Sequence, residues 1–325
     1  MPMNKVVHAA QRAAFSAAID SAIKAVRGKG PENMAEQAVK LVNLAQPLLA
    51  HRYPDADWDK VRAFVSDPGS KWMEYAYKAI NEIDPHILKM NTLNLVYEGM
   101  FAGYNYVMEL RRKYDCNMPW ILLFDPTSAC NLHCKGCWAA EYGNRLNLTF
   151  DEIDSIITQG KELGVYLYML TGGEPLVRKD VDQLVAGLKA IPGIRKVTLT
   201  TNGIGITDEV IEWANKECYN VVLSLDGRKE VNDRFRVDCA GNGSYDRIVP
   251  KFQEFVKKRG DKNYYMRGTY THFNTDFTND IFHMADLGFT ELSMEPVVCD
   301  PSDPSALTEA DLPILKEQYL SLIHI

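Results

Sequence analysis

From residue 119 onward, apolar runs alternate six times with amphipathic runs, and this alternation constrains the fold more than any other feature. Strands are predicted at 119–125, 165–170, 196–200, 220–226, 264–271 and 291–297, and helices at 150–163, 178–190, 207–217, 244–259, 276–287 and 308–322. Thr149 and Glu152 form a capping box before the first of these helices, and Thr308 is a candidate cap for the last. We predict an α/β fold, a partial or closed parallel barrel in which the functional face lies at the carboxyl ends of the strands.

The first 115 residues have a different pattern. They are rich in helix formers, and apolar residues recur with the helical period, for example over 35–49 and 70–83. We therefore predict an all-helical N-terminal domain over residues 1–115, and this stretch contains no cluster of residues typical of a ligand site.

Composition excludes several classes of function. The chain has 325 residues, of which 46% are hydrophobic, and a formal net charge of -7, so electrostatics do not favour nucleic acid as a partner. No apolar run approaches the roughly 20 residues of a membrane span. The first residues also lack the apolar core of a secretory signal. We expect a cytoplasmic protein that binds neither nucleic acid nor membrane.

The stretch CNLHCKGCW, residues 130–138, contains three of the seven cysteines. In a reducing compartment, clustered cysteines favour a metal site over a disulfide framework. Cys130, Cys134 and Cys137 can hold three corners of an iron–sulfur cubane and leave one iron open. A structural zinc that also uses His133 is the alternative. It is disfavoured because zinc ligands usually come as two separated pairs and His133 directly precedes Cys134.

The spacing Cys-x3-Cys-x2-Cys after the first strand, with the aromatic Trp138 next to it, resembles the motif of the radical S-adenosylmethionine (radical SAM) superfamily. The resemblance covers roughly residues 118–300. It implies a partial (β/α)6 barrel of radical SAM type and a [4Fe–4S] cluster held by Cys130, Cys134 and Cys137, which would be both the metal ligands and the catalytic residues. It also implies reductive cleavage of SAM to a 5′-deoxyadenosyl radical that abstracts hydrogen from a substrate, an electron donor such as ferredoxin or flavodoxin, and an anaerobic host.

Further candidate residues follow the next strands. Gly172, Gly173 and Glu174 resemble the family's GGE motif, which positions the SAM amino group; the glycines would let a ligand lie against bare backbone, and the carboxylate could accept hydrogen bonds from an ammonium group. Ser224 and Asp226 share one side of strand four, as candidates for the SAM carboxylate or ribose. The remaining SAM candidates are Thr201, Asn202 and Arg236, with Arg234 as a competitor of Arg236.

Strands five and six supply weaker candidates. Residues that could reach adenine or the substrate, or could simply pack the barrel, are Met266, Arg267, Thr269, Thr271, His272 and Glu295. The isolated cysteines, for which a buried and inert thiol is the default expectation, are Cys116, Cys218, Cys239 and Cys299. Cys239 and Cys299 fall on loops near the expected functional face, and they are minor candidates for contact with a substrate or an auxiliary cluster.

The substrate class is open at this point. Residues 224–236 and 264–297 resemble peptide-modifying maturases with a SPASM or twitch extension, namely enzymes that form thioether crosslinks and their sulfatase-maturing relatives, which implies a peptide or protein substrate. Residues 171–204 resemble instead the molybdenum-cofactor GTP cyclase branch. A non-enzymatic iron–sulfur or zinc protein is the third alternative.

The same resemblance sets the expected domain bounds. We expect a radical SAM core over 116–300 and the start of a truncated C-terminal extension over 301–325. No cysteine follows Cys299, although both branches carry auxiliary-cluster cysteines there. A truncated or composite gene is one explanation.

Overall fold

The computed structural model describes residues 5–50, 56–93, 96–97, 102–137, 139, 142–143, 145–165, 167–190, 196–218 and 220–324. Trp138 of the cysteine motif lies outside the described residues. The chain divides into two compact units, Met1–Met118 and Pro119–Ile325. No described helix is both long enough and apolar enough to cross a membrane.

The first unit is helical throughout its described part. Its helices are α1 (Lys5–Val26), α2 (Pro31–Leu49), α3 (Trp58–Ser66), α4 (Lys71–Glu82), α5 (Pro85–Thr92) and α6 (Gly103–Tyr114). Asp57, Ser70 and Asp84 cap α3, α4 and α5 by accepting backbone N–H groups of the first turn. A small core is formed by Val26, Met34, Ala35 and Met73.

The second unit is built on six parallel strands that lie side by side in chain order. They are β1 (Ile121–Phe124), β2 (Leu167–Leu170), β3 (Lys196–Thr201), β4 (Asn220–Ser224), β5 (Tyr264–Tyr270) and β6 (Leu292–Pro296). Each strand pairs with the next, and no pairing joins β1 to β6 among the described residues. The sheet is therefore a half-barrel, which confirms the predicted α/β fold in its partial form.

Helices follow the strands as the amphipathic runs predicted. They are α7 (Phe150–Glu162), α8 (Val181–Ala190), α9 (Asp208–Glu217), α10 (Lys229–Phe235), α11 (Tyr245–Arg259), α12 (Thr278–Asp286) and α13 (Leu312–His324). The Thr149–Glu152 capping box before α7 is confirmed, with both reciprocal hydrogen bonds present. Two points differ. The short helix α10 was not predicted. The Thr308 cap is wrong, because α13 begins at Leu312 and Thr308 instead donates its hydroxyl to Asp311.

The core of this unit lies between the sheet and its helices. Fully buried side chains include Leu170 and Leu199 on the strands, and Ile153, Ile248 and Phe252 on the helices. The near-continuous burial of β4 explains its apolar run, since both faces of a parallel strand are covered. This core holds the strands in register, so that the loops after their carboxyl ends converge at one edge of the sheet.

Candidate functional site

A cavity of about 280 Å³ opens at the carboxyl ends of the strands. Its lining contains eleven residues that the sequence singled out as cluster or SAM ligands: Cys130, Cys134, Cys137, Gly172, Gly173, Glu174, Thr201, Asn202, Ser224, Asp226 and Arg236. The structure therefore brings together residues that four separate strand ends supply. Parallel strands make this possible because their carboxyl ends meet at one edge.

The cysteine loop is held by backbone hydrogen bonds to the segment that follows α10. The N–H of His133 donates to the carbonyl of Val237 at 2.7 Å, and the N–H of Lys135 donates to the carbonyl of Phe235 at 2.9 Å. Within the loop, the N–H of Cys137 donates to the carbonyl of Cys134 at 3.3 Å. The loop after β1 is thus tied across the cavity to the loop after β4, which fixes where the thiols lie.

The three thiols are half-buried, and none is in a disulfide. Burial raises the pKa of Cys130, and it raises the pKa of Cys134 to about 11, although the Arg236 guanidinium opposes the shift at Cys134. Both thiols are protonated at neutral pH without a metal, so binding a cluster must release protons.

The arrangement does not favour the zinc alternative. In the described part of the chain, no three His, Cys, Asp or Glu side chains lie close enough to hold a single metal ion. His133 is exposed, and its backbone is used to dock the loop.

The two glycines after β2 are required by the protein's own packing. A Cβ at Gly173 would lie 2.2 Å from the carbonyl oxygen of Ala129, and one at Gly172 would lie 2.7 Å from that of Thr127. Gly172 also has a φ of +106°. The sequence predicts that the glycines accommodate a ligand. The structure shows that they also let this loop pack against the segment that leads into the cysteine loop.

Glu174 is almost completely buried, with 1% of its surface exposed. Its carboxylate accepts hydrogen bonds from the Thr201 hydroxyl at 2.8 Å and from the N–H groups of Asn202 at 2.6 Å and Leu176 at 3.0 Å. Burial raises the pKa of Glu174 to about 7 despite these three donors. The side chain therefore joins the loop after β2 to the loop after β3. A carboxylate offers about four acceptor positions, so one remains for a ligand donor.

Asn202 continues this connection to the cysteine loop. Its side-chain amide donates to Oδ1 of Asn131 at 2.8 Å and lies 3.6 Å from the Cys130 sulfur. The amide dipole thus faces a candidate cluster ligand. The predicted contact of Thr201 and Asn202 with ribose stays a prediction.

Asp226 and Arg236 form a bidentate ion pair in the cavity wall. Nε and Nη2 of Arg236 donate to the two carboxylate oxygens of Asp226, each at 2.8 Å, and the N–H of Thr269 donates to the same carboxylate at 3.0 Å. Arg234 lies outside this cavity and stacks on the Phe273 ring, 4.6 Å from its centroid. The structure therefore separates two arginines that the sequence could not distinguish, although the ligand of Arg236 stays a prediction.

The weaker candidates divide between the cavity and the core. Arg267, Thr269 and Thr271 line the cavity, whereas Met266 is fully buried in the core. His272 and Glu295 do not line it: His272 pairs with Asp311 at 2.9 Å, and Glu295 pairs with Arg267.

The isolated cysteines do not share one environment. Cys116 and Cys239 are exposed, so the expectation of a buried thiol is wrong for both, because each lies in a surface loop. Cys218 is buried as expected, and Cys299 lines the cavity.

Sequence reasoning missed part of the lining. The residues not singled out as site residues are Lys135, Gly136, Thr171, Thr200, Phe235, Val297, Asp303 and Ser305. Position at or next to the carboxyl end of a strand was the available signal for Thr171, Thr200 and Val297. Asp303 and Ser305 lie in a segment of successive turns beyond β6, for which no sequence pattern was available.

Sequence comparison relates this site to known proteins. The family model described as the radical SAM superfamily matches residues 124–276. The GTP 3′,8-cyclase of Clostridium perfringens (strain SM101 / Type A) is 31% identical over 175 residues, which cover 51% of this chain and 53% of the relative. That of Moorella thermoacetica is 39% identical over 114 residues, which cover 34% of this chain and 35% of the relative. The chain thus spans about half the length, or less, of the curated relatives it matches.

Solved structures with the same fold include proteins with bound S-adenosylmethionine. The structure of native anSMEcpe with bound AdoMet aligns with a TM-score of 0.54 and 20% identity, covering 62% of this chain and 60% of that one. SuiB of Streptococcus suis bound to S-adenosylmethionine aligns with a TM-score of 0.54 and 19% identity, covering 87% and 60%. At this identity the likeness establishes the fold alone.

Proposed function

We propose that this chain is a radical SAM enzyme acting on a peptide or protein side chain, because residues 124–276 match the family model of the radical SAM superfamily, whose cofactors are a [4Fe–4S] cluster and S-adenosylmethionine. The observation that carries the proposal is that the three thiols and eight candidate SAM ligands line one cavity. Cys130, Cys134 and Cys137 would hold the cluster, and Gly172–Glu174, Thr201, Asn202, Ser224, Asp226 and Arg236 would surround SAM.

The residues present fit these cofactors. Three thiols border one cavity without a fourth cysteine in their loop, and the adjoining wall offers backbone carbonyls, hydroxyls and a paired carboxylate and guanidinium. When bound, the reduced cluster supplies the electron that cleaves SAM to methionine and a 5′-deoxyadenosyl radical, which removes a hydrogen atom from the substrate.

The protein's own residues position the groups that face the cavity and neutralise charge there. Glu174 holds the loops after β2 and β3 together through Thr201 and Asn202, so the backbone groups that face the cavity are fixed in advance. Arg236, next to the thiols, counters their negative charge once they are deprotonated, because a guanidinium remains charged at any physiological pH. Asp226 keeps that guanidinium in place.

The peptide is proposed for two reasons. The stretches 224–236 and 264–297 resemble peptide-modifying maturases, and structures of this fold include SuiB bound to its precursor peptide SuiA. GTP is the second candidate substrate, because curated GTP 3′,8-cyclases are 31% identical to this chain over 175 residues.

The test is anaerobic reconstitution of the full chain with iron and sulfide, followed by reduction and addition of SAM. We expect an iron–sulfur absorbance band and release of 5′-deoxyadenosine, measured by chromatography. Cys130→Ala, Cys134→Ala and Cys137→Ala should abolish both signals. Cys239→Ala, which changes an exposed cysteine outside the cavity, is the matched control and should abolish neither. A chain that binds no cluster, or that binds one and leaves SAM intact, would overturn the proposal.

The two candidate substrates are then compared directly. Short peptides encoded next to the gene, and GTP in parallel, are added to the reduced enzyme. The peptide proposal predicts that a peptide raises the rate of 5′-deoxyadenosine release, whereas GTP does not. The mass of that peptide should also change. Consumption of GTP without any effect of peptides would select the second candidate.

A further inference from the structure

The cavity wall at and after the ends of β5 and β6 contains none of the residues proposed to hold the cluster or SAM. It is formed by Arg267, Thr269, Thr271, Val297, Cys299, Asp303 and Ser305. The proposed function assigns the cysteine loop and the ends of β2 to β4 to the two cofactors. The wall after β5 and β6 is then the part of the cavity left for the substrate, and its chemistry indicates which substrate it accepts.

Three of the charged residues that line the cavity are already offset by a neighbour. Arg236 pairs with Asp226, and Arg267 pairs with Glu295. Lys135 is an exposed cation within the cysteine loop, on the cofactor side. On the substrate side, Asp303 is the lining residue whose charge forms no ion pair with any described residue.

Asp303 is also held in place by its own turn. Its N–H donates to the carbonyl of Asp300 at 2.9 Å, and its carbonyl accepts from the N–H of Ala306 at 2.9 Å. One carboxylate oxygen accepts from the N–H of Ser305 at 2.7 Å. The other oxygen has no hydrogen bond within the described part of the chain, so one acceptor of a fixed carboxylate is left for a ligand.

The segment that carries Asp303 is anchored to the end of β5. The N–H of His272 donates to the carbonyl of Ser305 at 3.1 Å, and the His272 ring pairs with Asp311 at 2.9 Å. These contacts anchor the segment at residues 305 and 311, and the first anchor lies two residues after Asp303. A carboxylate fixed before the ligand arrives loses little entropy on binding, which favours selectivity.

We propose that Asp303 is a specificity-determining residue that receives a positively charged group of the substrate, such as a lysine ammonium, an arginine guanidinium or a peptide amino terminus. This inference rests on the proposed function, since it assigns the other walls to the cofactors. The net charge of -7 acts in the same direction at long range, because an acidic protein attracts cationic ligands and repels a nucleoside triphosphate. The substrate class is therefore a basic peptide.

Cys299, which lines the same wall, provides a probe that needs no knowledge of the substrate. The full chain, with and without its reconstituted cluster, is treated with a cationic and an anionic methanethiosulfonate, and the rate of modification at Cys299 is followed by peptide mass spectrometry. The ratio of the two rates cancels the intrinsic reactivity of the thiol. We expect the cationic reagent to react on the order of tenfold faster at Cys299.

Two substitutions test whether the charge of Asp303 causes this difference in rate. Asp303→Asn keeps the acceptor for Ser305 and removes only the charge, and it should bring the ratio close to one. Glu309→Gln, which changes an exposed carboxyl on the same segment outside the cavity lining, is the matched control and should retain most of the preference. A ratio that Asp303→Asn leaves unchanged, or that Glu309→Gln lowers equally, would overturn the inference.

A second measurement addresses the substrate class. Acetyl-Gly-Lys-Gly-amide should protect Cys299 from a neutral reagent at a concentration about tenfold lower than acetyl-Gly-norleucine-Gly-amide, and Asp303→Asn should remove this difference. Equal protection by the two peptides, or protection by neither, would contradict the assignment. Neither measurement depends on SAM cleavage, so failure of the proposed function would be recognised separately.

Discussion

The two sides of the cavity are built differently. On the β1 to β4 side, the loops are joined to one another: Glu174 binds the loop after β3, Asn202 contacts the cysteine loop, and that loop pairs with Phe235 and Val237. On the β5 and β6 side, Asp303 is held mainly by its own turn. The first side therefore behaves as one connected unit, in which displacing one loop disturbs the others. On the second side a substitution disturbs the other loops less, because the hydrogen bonds that hold Asp303 lie within one turn.

The largest expected effect is a loss of cluster loading, caused by a substitution where the loop after β2 contacts the segment that leads into the cysteine loop. Gly173→Ala places a Cβ 2.2 Å from the Ala129 carbonyl oxygen and 2.6 Å from that of Ser128, and backbone cannot yield cheaply. We expect the cysteine loop to move and cluster loading to fall at least about tenfold, measured as bound iron per chain. Gly69→Ala, where the nearest atom is 3.4 Å away, is the control. Normal iron content in Gly173→Ala would show that the loops are less connected than described.

The second-largest effect is a loss of stability when the Asp226–Arg236 ion pair in the cavity wall is broken. Arg236→Ala leaves Asp226 buried, with 4% of its surface exposed, and without its counterion. We expect the free energy of unfolding to fall by about 3–5 kcal/mol, measured by urea denaturation. Arg234→Ala removes only an exposed stack on Phe273 and should cost about 1 kcal/mol or less. Equal losses from the two arginines would contradict the placement of Arg236.

The smallest effect is predicted on the β5 and β6 side. Hydrogen bonds from His272 and from the N–H of Thr308 hold the pKa of Asp311 below its ordinary value. A lowered carboxyl pKa contributes stability above the unfolded-state value of about 4, and this contribution is lost as the pH falls through the folded-state value. Asp311→Asn should therefore be less stable than the parent at neutral pH, and the difference should shrink below about pH 4 in thermal melts.

Glu309→Gln, an exposed carboxyl on the same segment, is the control for that pH dependence. It should follow the parent chain across the whole pH range. A constant difference between Asp311→Asn and the parent at every pH would mean that the side chain matters through its shape and not its charge.

Much of the fold could be predicted because its signals are local. Apolar runs of the right length predicted all six strands, and the Thr149–Glu152 capping box marked the start of α7. Helix α10 was missed because it is only seven residues long and lies in a stretch without an apolar period. The Thr308 cap was wrong because Asp311 accepts hydrogen bonds from the N–H and the hydroxyl of Thr308, so helical geometry begins only after Asp311.

The sequence by itself determined the order in which strands and loops follow one another and the residue types that each loop carries. The cysteine spacing and the glycine pair are patterns of neighbouring positions, so they can be recognised without a structure. Tertiary structure alone decided that Arg236, and not Arg234, lines the cavity, and that Glu174 is used to join two loops. It also decided that Asp303 faces the cofactor loops although 166 positions separate it from Cys137. Such contacts depend on how the sheet curves and on which loops pack together. The distances between loops that are far apart in the sequence are not encoded in any one stretch of the chain.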